Sequence, residues 1–266
     1  NRPIIGLGMK GLLFVELSVK ESIRDAHSSL AVLIKNPAWR LIDAIQTLRN
    51  FDGHILIKDW YNEVIPFSKK DLELIEKEPF DQSVFKKEFG INSFVGNKKN
   101  LDAKKALVGD ATCNIAGFIS GYTGDGAKTV LPGNALVKID FRLIPKMDPK
   151  KQVVRLKKHL KLYGFNDVKI KIFHGEAAAR TNSSDPFVSQ VKNAADKIFG
   201  TSILNVSNAG TGPMYPFVDI LKSPCISIGS TYMFSRIHSP NEFARVDLLK
   251  KTTKCICLIM DNFGKN

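Results

Sequence analysis

A hairpin pattern in the middle of the chain restricts its fold more than any other feature. Residues 115–122 (IAGFISGY) and 134–144 (NALVKIDFRLI) have strand composition, and the glycine-rich segment TGDGAKTVLPG separates them. The second run alternates apolar and polar side chains, which is typical of a strand with one buried face. The pattern predicts two antiparallel strands joined by a long turn.

Other segments before residue 180 extend this hairpin into a sheet with helices. GLLFVELSVK alternates like a strand, and a helix is predicted at 36–50 because Asn36 and Pro37 form a typical helix start. We predict an antiparallel sheet of four strands with two helices on one face, ferredoxin-like, and a helical insertion near 59–108. Five segments have strand patterns, one more than the predicted sheet contains: 11–20, 51–57, 115–122, 134–144 and 167–175; the predicted helices are 36–50 and 148–164.

The pattern changes at about residue 180, where short continuous apolar strands alternate with helices. This order predicts an α/β unit whose sheet is covered on both faces. Two strands cannot form a stable sheet alone, so its other strands either are missing from this chain or come from another chain. The predicted helices are 185–199, 213–221 and 244–263, and the predicted strands are 203–206 and 225–228.

Composition excludes several classes of protein. The apolar runs are too short for a membrane span, and the first residues, which lack Met, indicate a start inside a longer protein rather than a signal peptide. The net charge of +13 comes from scattered lysines without a nucleic-acid motif, so it indicates a solvated surface more than nucleic-acid binding. Four cysteines without a C-x-x-C pair fit a reducing compartment.

Several polar residues occur where a binding site would need them. The turn NAGTGP, with Gly210 and Thr211, follows one predicted strand, and His238 in RIHSPNE follows the next, so both reach the same sheet edge. His27 is predicted on the loop just after a strand, Thr129 on the hairpin and Arg142 within a strand. Each also has a purely structural interpretation: a solvated or capping histidine, a turn hydroxyl, an exposed arginine or an ordinary strand-to-helix turn. Together they would suit a substrate carboxylate or an oxyanion.

The motifs VELSVK, RDAHSS, NPAWRLIDAI, GYTGDGAKTVLPG, IDFRLIPKMDP, GTGP and HSPNE occur in this order. In order and spacing they resemble the di-zinc metallopeptidases related to carnosinase and cytosolic non-specific dipeptidase. The wider clan includes aminoacylase, carboxypeptidase G and succinyl-diaminopimelate desuccinylase. The resemblance covers essentially the whole chain and is weakest over 70–108. It implies a lid or dimerisation domain over 1–179, starting at about residue 6, and the C-terminal segment of a catalytic domain over 180–266.

The resemblance also assigns roles to residues. His238 corresponds to a zinc ligand, and His27 to the lid histidine that enters the partner subunit's active site and polarises the scissile carbonyl. Thr129 and Arg142 correspond to residues that hold the substrate carboxylate, and Thr211, beside Gly210, to a substrate-binding hydroxyl. The implied partners are a peptide or acyl-amino-acid substrate and a second subunit bound through the lid, with helix 36–50, the strand after the first loop and Trp39 as candidate contacts.

The implied cofactor is zinc, two ions per complete subunit, with Mn or Co as substitutes, and metal-bound hydroxide would attack the peptide carbonyl. The family's His-x-Asp and Glu-Glu motifs are absent from the 266 residues. We therefore expect the C-terminal two-thirds of a cytoplasmic enzyme, inactive alone and binding little or no zinc. The alternative is a non-catalytic binding or regulatory protein that retains the lid fold. No membrane or nucleic-acid partner is expected.

Overall fold

The computed structural model describes residues 3–230 and 235–265, and it confirms the predicted fold class. Helices and strands are mixed, and antiparallel pairing dominates the main sheet. Within the described residues the strands are β1 (Ile4–Gly6), β2 (Gly8–Met9), β3 (Gly11–Lys20), β4 (Ala26–His27), β5 (Thr112–Ser120), β6 (Val130–Leu131), β7 (Asn134–Leu143), β8 (Lys169–Glu176), β9 (Ala179–Arg180), β10 (Ile203–Asn205) and β11 (Ser227–Ile228).

The helices begin where the sequence provides capping side chains. Asn36, Asp148 and Asp185 each precede a proline and accept a hydrogen bond from a first-turn backbone N–H. The α-helices are α1 (Pro37–Gln46), α2 (Lys69–Lys77), α3 (Gln82–Phe89), α4 (Asn100–Gly109), α5 (Pro149–Leu162), α6 (Pro186–Phe199) and α7 (Val246–Phe263). None of the helices in the described ranges is long and apolar enough to cross a membrane.

The main sheet has the order β5-β7-β3-β8, and its strands are antiparallel. β3 and β7 pair over their whole length, from Gly11 opposite Leu143 to Lys20 opposite Asn134. Alternation along both strands turns most of their apolar residues to one face, where α1 and α5 cover them. Phe141 lies at the centre of this core, with its ring 4.9 Å from that of Trp60. The predicted sheet with two helices on one face is confirmed.

The insertion forms helices α2, α3 and α4, which agrees with the predicted helical segment. α2 and α4 pack on the C-terminal part of the chain, where Ile75, Val108 and Val206 form a small buried cluster. The Asn205 side-chain amide donates to both carboxylate oxygens of Glu78 at 3.0 Å. These contacts attach the insertion to the C-terminal part.

The C-terminal sheet contains a strand that we did not predict. Its order is β10-β1-β11, and β1 runs parallel to β10. The first residues of the chain thus supply one partner to the two predicted strands, although they fall within the predicted unit 1–179. Short β2 and β9 pair between the two sheets. The domain boundary at residue 179 remains a prediction.

Two local predictions were wrong. Residues 51–57 form no strand: Asn50 accepts a hydrogen bond from the His54 N–H, Gly53 has a φ of 84°, and a single bridge joins Arg49 to Ile55. The turn replaces the strand because Asn and Gly supply its geometry locally. The helix predicted over 213–221 is limited to a π-helical turn at Pro216–Ile220.

Candidate functional site

Strand β7 fixes the spacing of the predicted site residues. Arg142 lies near one end, opposite Leu12 of β3, and Asn134 lies at the other end, opposite Lys20. A strand advances about 3.3 Å per residue, so the eight steps from Asn134 to Arg142 span about 26 Å. Residues at the two ends of β7 are therefore too far apart to contact the same dipeptide.

Arg142 and Thr211 form a polar pair at the first end. The Arg142 Nη1 donates to the Thr211 Oγ1 at 2.8 Å, and the Arg142 Nε lies 3.8 Å from a carboxylate oxygen of Asp140. The arginine side chain is one-third exposed. A guanidinium and a hydroxyl in this arrangement can bind a carboxylate, because both can donate to it.

The turn that carries Thr211 is held closely against the start of the main sheet. The Asn208 side chain accepts the Gly210 N–H at 2.8 Å, and the Lys10 N–H donates to the Gly210 carbonyl at 3.0 Å. A Cβ on Gly212 would lie 2.5 Å from the Met9 sulfur. Glycine at this position therefore permits the close approach that places Thr211 beside Arg142.

His27 and Thr129 form a second pair near the other end of β7. His27 lies in short strand β4, not in the predicted loop, and pairs with Val130 of β6. Its Nδ1 accepts the Ser29 N–H at 3.2 Å, so the neutral ring carries its proton on Nε2. The Nε2 lies 3.3 Å from the Thr129 Oγ1, and both side chains are exposed. The structure thus groups Thr129 with His27 and not with Arg142.

His238 lies in an exposed segment before α7. Its φ is 62°, its side chain is exposed, and its backbone N–H lies 3.4 Å from the Glu242 Oε2. No hydrogen bond or ion pair described for residues 3–230 and 235–265 joins it to the other predicted site residues. Residues 231–234, part of the predicted path from β11 to His238, lie outside the described residues.

The described residues do not form a metal site by themselves. Across the ranges that the structure describes, no three His, Cys, Asp or Glu side chains are close enough to hold one ion. A catalytic zinc needs about three protein ligands, so His238 would need partners that this group of residues does not supply. The role of His238 as a ligand stays a prediction.

The sequence argument missed three residues that hold the two pairs in place. The Ser29 hydroxyl and N–H hold the ring of His27, Asn208 fixes the turn before Thr211, and Lys10 lies behind that turn. Ser29 and Asn208 could have been found, because a hydroxyl or amide two residues from a site residue often bonds locally. The burial of Lys10 has no local signal in the sequence.

Comparisons with known proteins agree with this architecture. Residues 7–167 match the family described as the M20 peptidase dimerisation domain. A Beta-Ala-His dipeptidase of Rattus norvegicus is 23% identical over 91% of this chain and 50% of the relative. The Cys-Gly metallodipeptidase DUG1 of Candida albicans is 26% identical over 74% of this chain and 42% of the relative. The chain spans about half the length of the curated relatives that it matches.

Solved structures with the same fold include peptidases of this family. An M20 family metallo-carboxypeptidase, Sso-CP2 from Sulfolobus solfataricus, superposes with a TM-score of 0.90 and 37% identity, covering 97% of this chain and 59% of that one. The dipeptidase Dug1p from Saccharomyces cerevisiae superposes with a TM-score of 0.88 at 20% identity, covering 100% and 57%, a likeness of fold. With most of its main sheet and its insertion inside the family match, this chain belongs to the M20 peptidases and contains their dimerisation domain.

Proposed function

We propose that this chain is the lid and the C-terminal catalytic segment of a metal-dependent dipeptidase, or a related aminoacyl hydrolase, that acts as a homodimer. The separation of two polar pairs along β7 is the observation that carries the proposal. His27 with Thr129 and Arg142 with Thr211 lie near opposite ends of one sheet. The two ends of β7 are about 26 Å apart, more than a dipeptide spans, and His27 and Thr129 lie beyond the Asn134 end, so in this proposal each active site takes one pair from each subunit.

Exposure supports this division. Arg142 and Thr211 are half-buried where the lid meets the C-terminal part, as a binding pocket requires. His27 and Thr129 are exposed at the far end of the lid, where they can reach a second molecule. Two-fold symmetry makes the exchange reciprocal, because each lid then serves the other subunit's site.

The chemistry of these side chains suits peptide hydrolysis. Arg142 and Thr211 bind the substrate's carboxylate and so fix the peptide bond in position. The partner subunit's His27 donates its Nε2 proton to the carbonyl oxygen, where negative charge develops when water attacks. Ser29 orients the imidazole ring, and Thr129 lies beside its Nε2.

The remaining metal ligands and the general base belong, in this proposal, to polypeptide beyond these 266 residues. α7 gives independent support, because it is apolar on two sides. Thr252 and Cys255 face the core, whereas a second stripe is exposed to solvent. Such a helix packs between two neighbours. The stripe consists of Val246, Leu249, Ile256, Met260 and Phe263.

The other parts of the proposal follow from the family. Two zinc ions per complete subunit, replaceable by Mn²⁺ or Co²⁺, would supply Lewis-acid chemistry at the site. The four free cysteines fit a cytoplasmic location. A small peptide or acyl-amino acid is the proposed substrate. Residues 1–179 remain the proposed lid, and 180–266 the proposed catalytic segment.

The test is hydrolysis of dipeptides by a polypeptide extended at its amino end to the length of the relatives. We expect activity that depends on added Zn²⁺ or Mn²⁺. The substitution Arg142→Ala should lower kcat/KM about tenfold or more, because a charge-assisted hydrogen bond contributes about 1.5–3 kcal/mol. Lys192→Ala is the control, since Lys192 pairs with Asp196 within α6, away from the candidate site and the candidate dimer contact. Absence of hydrolysis by a folded, metal-loaded protein would instead favour the non-catalytic binding protein.

A further inference from the structure

Lys10 is a buried lysine beside the Arg142–Thr211 pair. It is 3% exposed, and its Nζ donates to the Asp110 carbonyl, the cap at the end of α4, at 2.7 Å. An ammonium group has three N–H donors, and burial of a charge is costly without full compensation. Because a buried ammonium with one described acceptor is unfavourable, we expect an electrostatic role for Lys10.

The geometry places Lys10 next to Arg142. Leu12 lies opposite Arg142, and Lys10 is two residues earlier, so strand alternation puts its side chain on the same side of the sheet. Thr112 lies opposite Arg142 on the other neighbouring strand, and Asp110, the partner of Lys10, is two residues before it. Lys10 and Arg142 are therefore diagonal neighbours, a separation that long side chains can bridge.

The charges around these two cations do not balance. Asp110 interacts with Lys10 and also lies 4.0 Å from the Lys98 ammonium, and Asp140 lies 3.8 Å from the Arg142 guanidinium. Among Lys10, Arg142 and their partners, three cations thus face two carboxylates; Glu176, opposite Leu12 on β8, lies on the same side of the sheet, 3.7 Å from the Nε2 of His174. The turn at 208–212 that packs against them carries no charged side chain. The surplus of positive charge favours an anionic ligand at the exposed part of Arg142.

Lys10 also connects the three segments that build the pair. Its backbone N–H donates to the carbonyls of Asn208 and Gly210, directly before Thr211, while its side chain reaches the end of α4. The lysine lies behind the turn, and the exposed part of Arg142 faces outward. A ligand carboxylate at Arg142 would be attracted electrostatically by the Lys10 ammonium without contacting it.

We propose that Lys10 is a positioning residue of the carboxylate site: its buried ammonium strengthens the binding of a peptide's carboxylate at Arg142 and Thr211, and it couples that binding to uptake of a proton. The inference rests on the proposed function, in which this pair holds the substrate carboxylate. In this inference the buried Lys10, in addition to Arg142, makes the site select peptides with a free carboxylate over peptides with a C-terminal amide.

The sign of the coupling follows from the environment of Lys10. Burial lowers the pKa of Lys10 to about 8, the charge of Arg142 also lowers it, and Asp110 opposes this shift. A bound carboxylate adds negative charge nearby, so it raises the pKa of Lys10. Affinity for the carboxylate is then complete below about pH 8 and falls as the pH rises through that value.

The experiment uses the 266-residue chain with ¹³Cε-labelled lysines and ¹⁵Nε-labelled arginines, titrated by NMR with N-acetylated glycylglycine, called glycylglycine below, and with its C-terminal amide; acetylation removes the peptide's own amine, which would titrate near pH 8. We expect saturating glycylglycine to raise the Lys10 titration midpoint by about half a pH unit or more, and the amide to leave it unchanged. Affinity for glycylglycine should fall about threefold or more from pH 7 to pH 9.

Two variants at position 10 separate charge from structure. Lys10→Met should bind glycylglycine about threefold or more weakly at pH 7, with little pH dependence. Lys10→Arg should bind glycylglycine as tightly as wild type at pH 7. Its affinity should not fall between pH 7 and pH 9, because the arginine remains charged. Lys138→Met, on the open face of the same sheet, is the control and should behave like wild type.

The outcomes distinguish this inference from the proposed function. If glycylglycine shifts the Arg142 Nε signal but leaves the Lys10 midpoint and the pH dependence of binding unchanged, the role of Lys10 is wrong and the carboxylate site stands. If glycylglycine shifts neither group at millimolar concentration, both are wrong. A Lys10→Arg variant that folds and binds as weakly as Lys10→Met would also contradict an electrostatic role.

Discussion

The main sheet and the C-terminal sheet differ in how completely they bury their own apolar residues. In the main sheet, two ten-residue strands pair in full register, and α1 and α5 close one face over a continuous core. In the C-terminal sheet, β1, β10 and β11 contain only two or three residues each, and one side of α7 remains apolar and exposed. The main sheet thus buries its own apolar face. The C-terminal sheet depends on additional packing to bury its apolar residues.

A substitution in each region should expose this difference most strongly. Phe141→Ala removes a fully buried ring from the main core, so we expect the free energy of unfolding to fall by about 3–5 kcal/mol. Met260→Ala removes a side chain that is 69% exposed, so its effect should stay within about 0.5 kcal/mol. Urea titrations followed by circular dichroism compare the two, and similar losses would mean that the α7 stripe is already covered.

Long elements of the main sheet could be predicted because their signals are local. Alternation marked β3 and β7, and capping residues marked α1 and α5. β1 was missed because three residues, IIG, carry no periodicity and their partner strand lies about two hundred positions away. The failed strand at 51–57 and the short turn at Pro216–Ile220 show the same limit.

The candidate site was predictable as a set of residues but not as an arrangement. Family motifs identified His27, Thr129, Arg142 and Thr211, yet the grouping of Thr129 with His27 depends on the pairing of β4 with β6. Such pairing is non-local, so no short motif encodes it. The burial of Lys10 likewise depends on the end of α4, one hundred residues later in the chain.

Self-association should also distinguish the two regions. We expect the chain to form a dimer of twice 29.6 kDa through the lid, and Trp39 on α1, 66% exposed, is our candidate contact. Trp39→Ala should weaken the dimer by about 1–2 kcal/mol, roughly five- to thirtyfold in dissociation constant, since buried tryptophans dominate interfaces. Phe263→Ala should leave it unchanged. Sedimentation equilibrium measures both, and a monomer at all concentrations would contradict dimerisation through the lid.

The smallest expected contrast is the response to pH. Burial lowers the pKa of His159 in the main core, so its contribution to stability is lost as the pH falls through the ordinary histidine range, near 6.5. Burial raises the pKa of Glu78, which contacts Asn205, so its contribution is lost as the pH rises above the ordinary glutamate range.

Hydrogen exchange between pH 5 and pH 8, corrected for the intrinsic rate, can follow the two regions separately. Protection in α5 should increase with pH, and His159→Gln should flatten that trend. Protection around β10 should decrease as the pH rises, and Glu78→Gln should remove this decrease. Parallel trends in both regions would show that other groups control the response.

The central claim is that the two ends of β7 serve different active sites of a dimer. It is tested most directly by mixing subunits of the extended, active polypeptide that carry either His27→Ala or Arg142→Ala. Each heterodimer should contain one site with both residues intact, so an equal, fully exchanged mixture should recover about a quarter of wild-type activity. If heterodimers form, as shown by native mass spectrometry, and activity stays at the level of the separate mutants, His27 and Arg142 do not act across the interface.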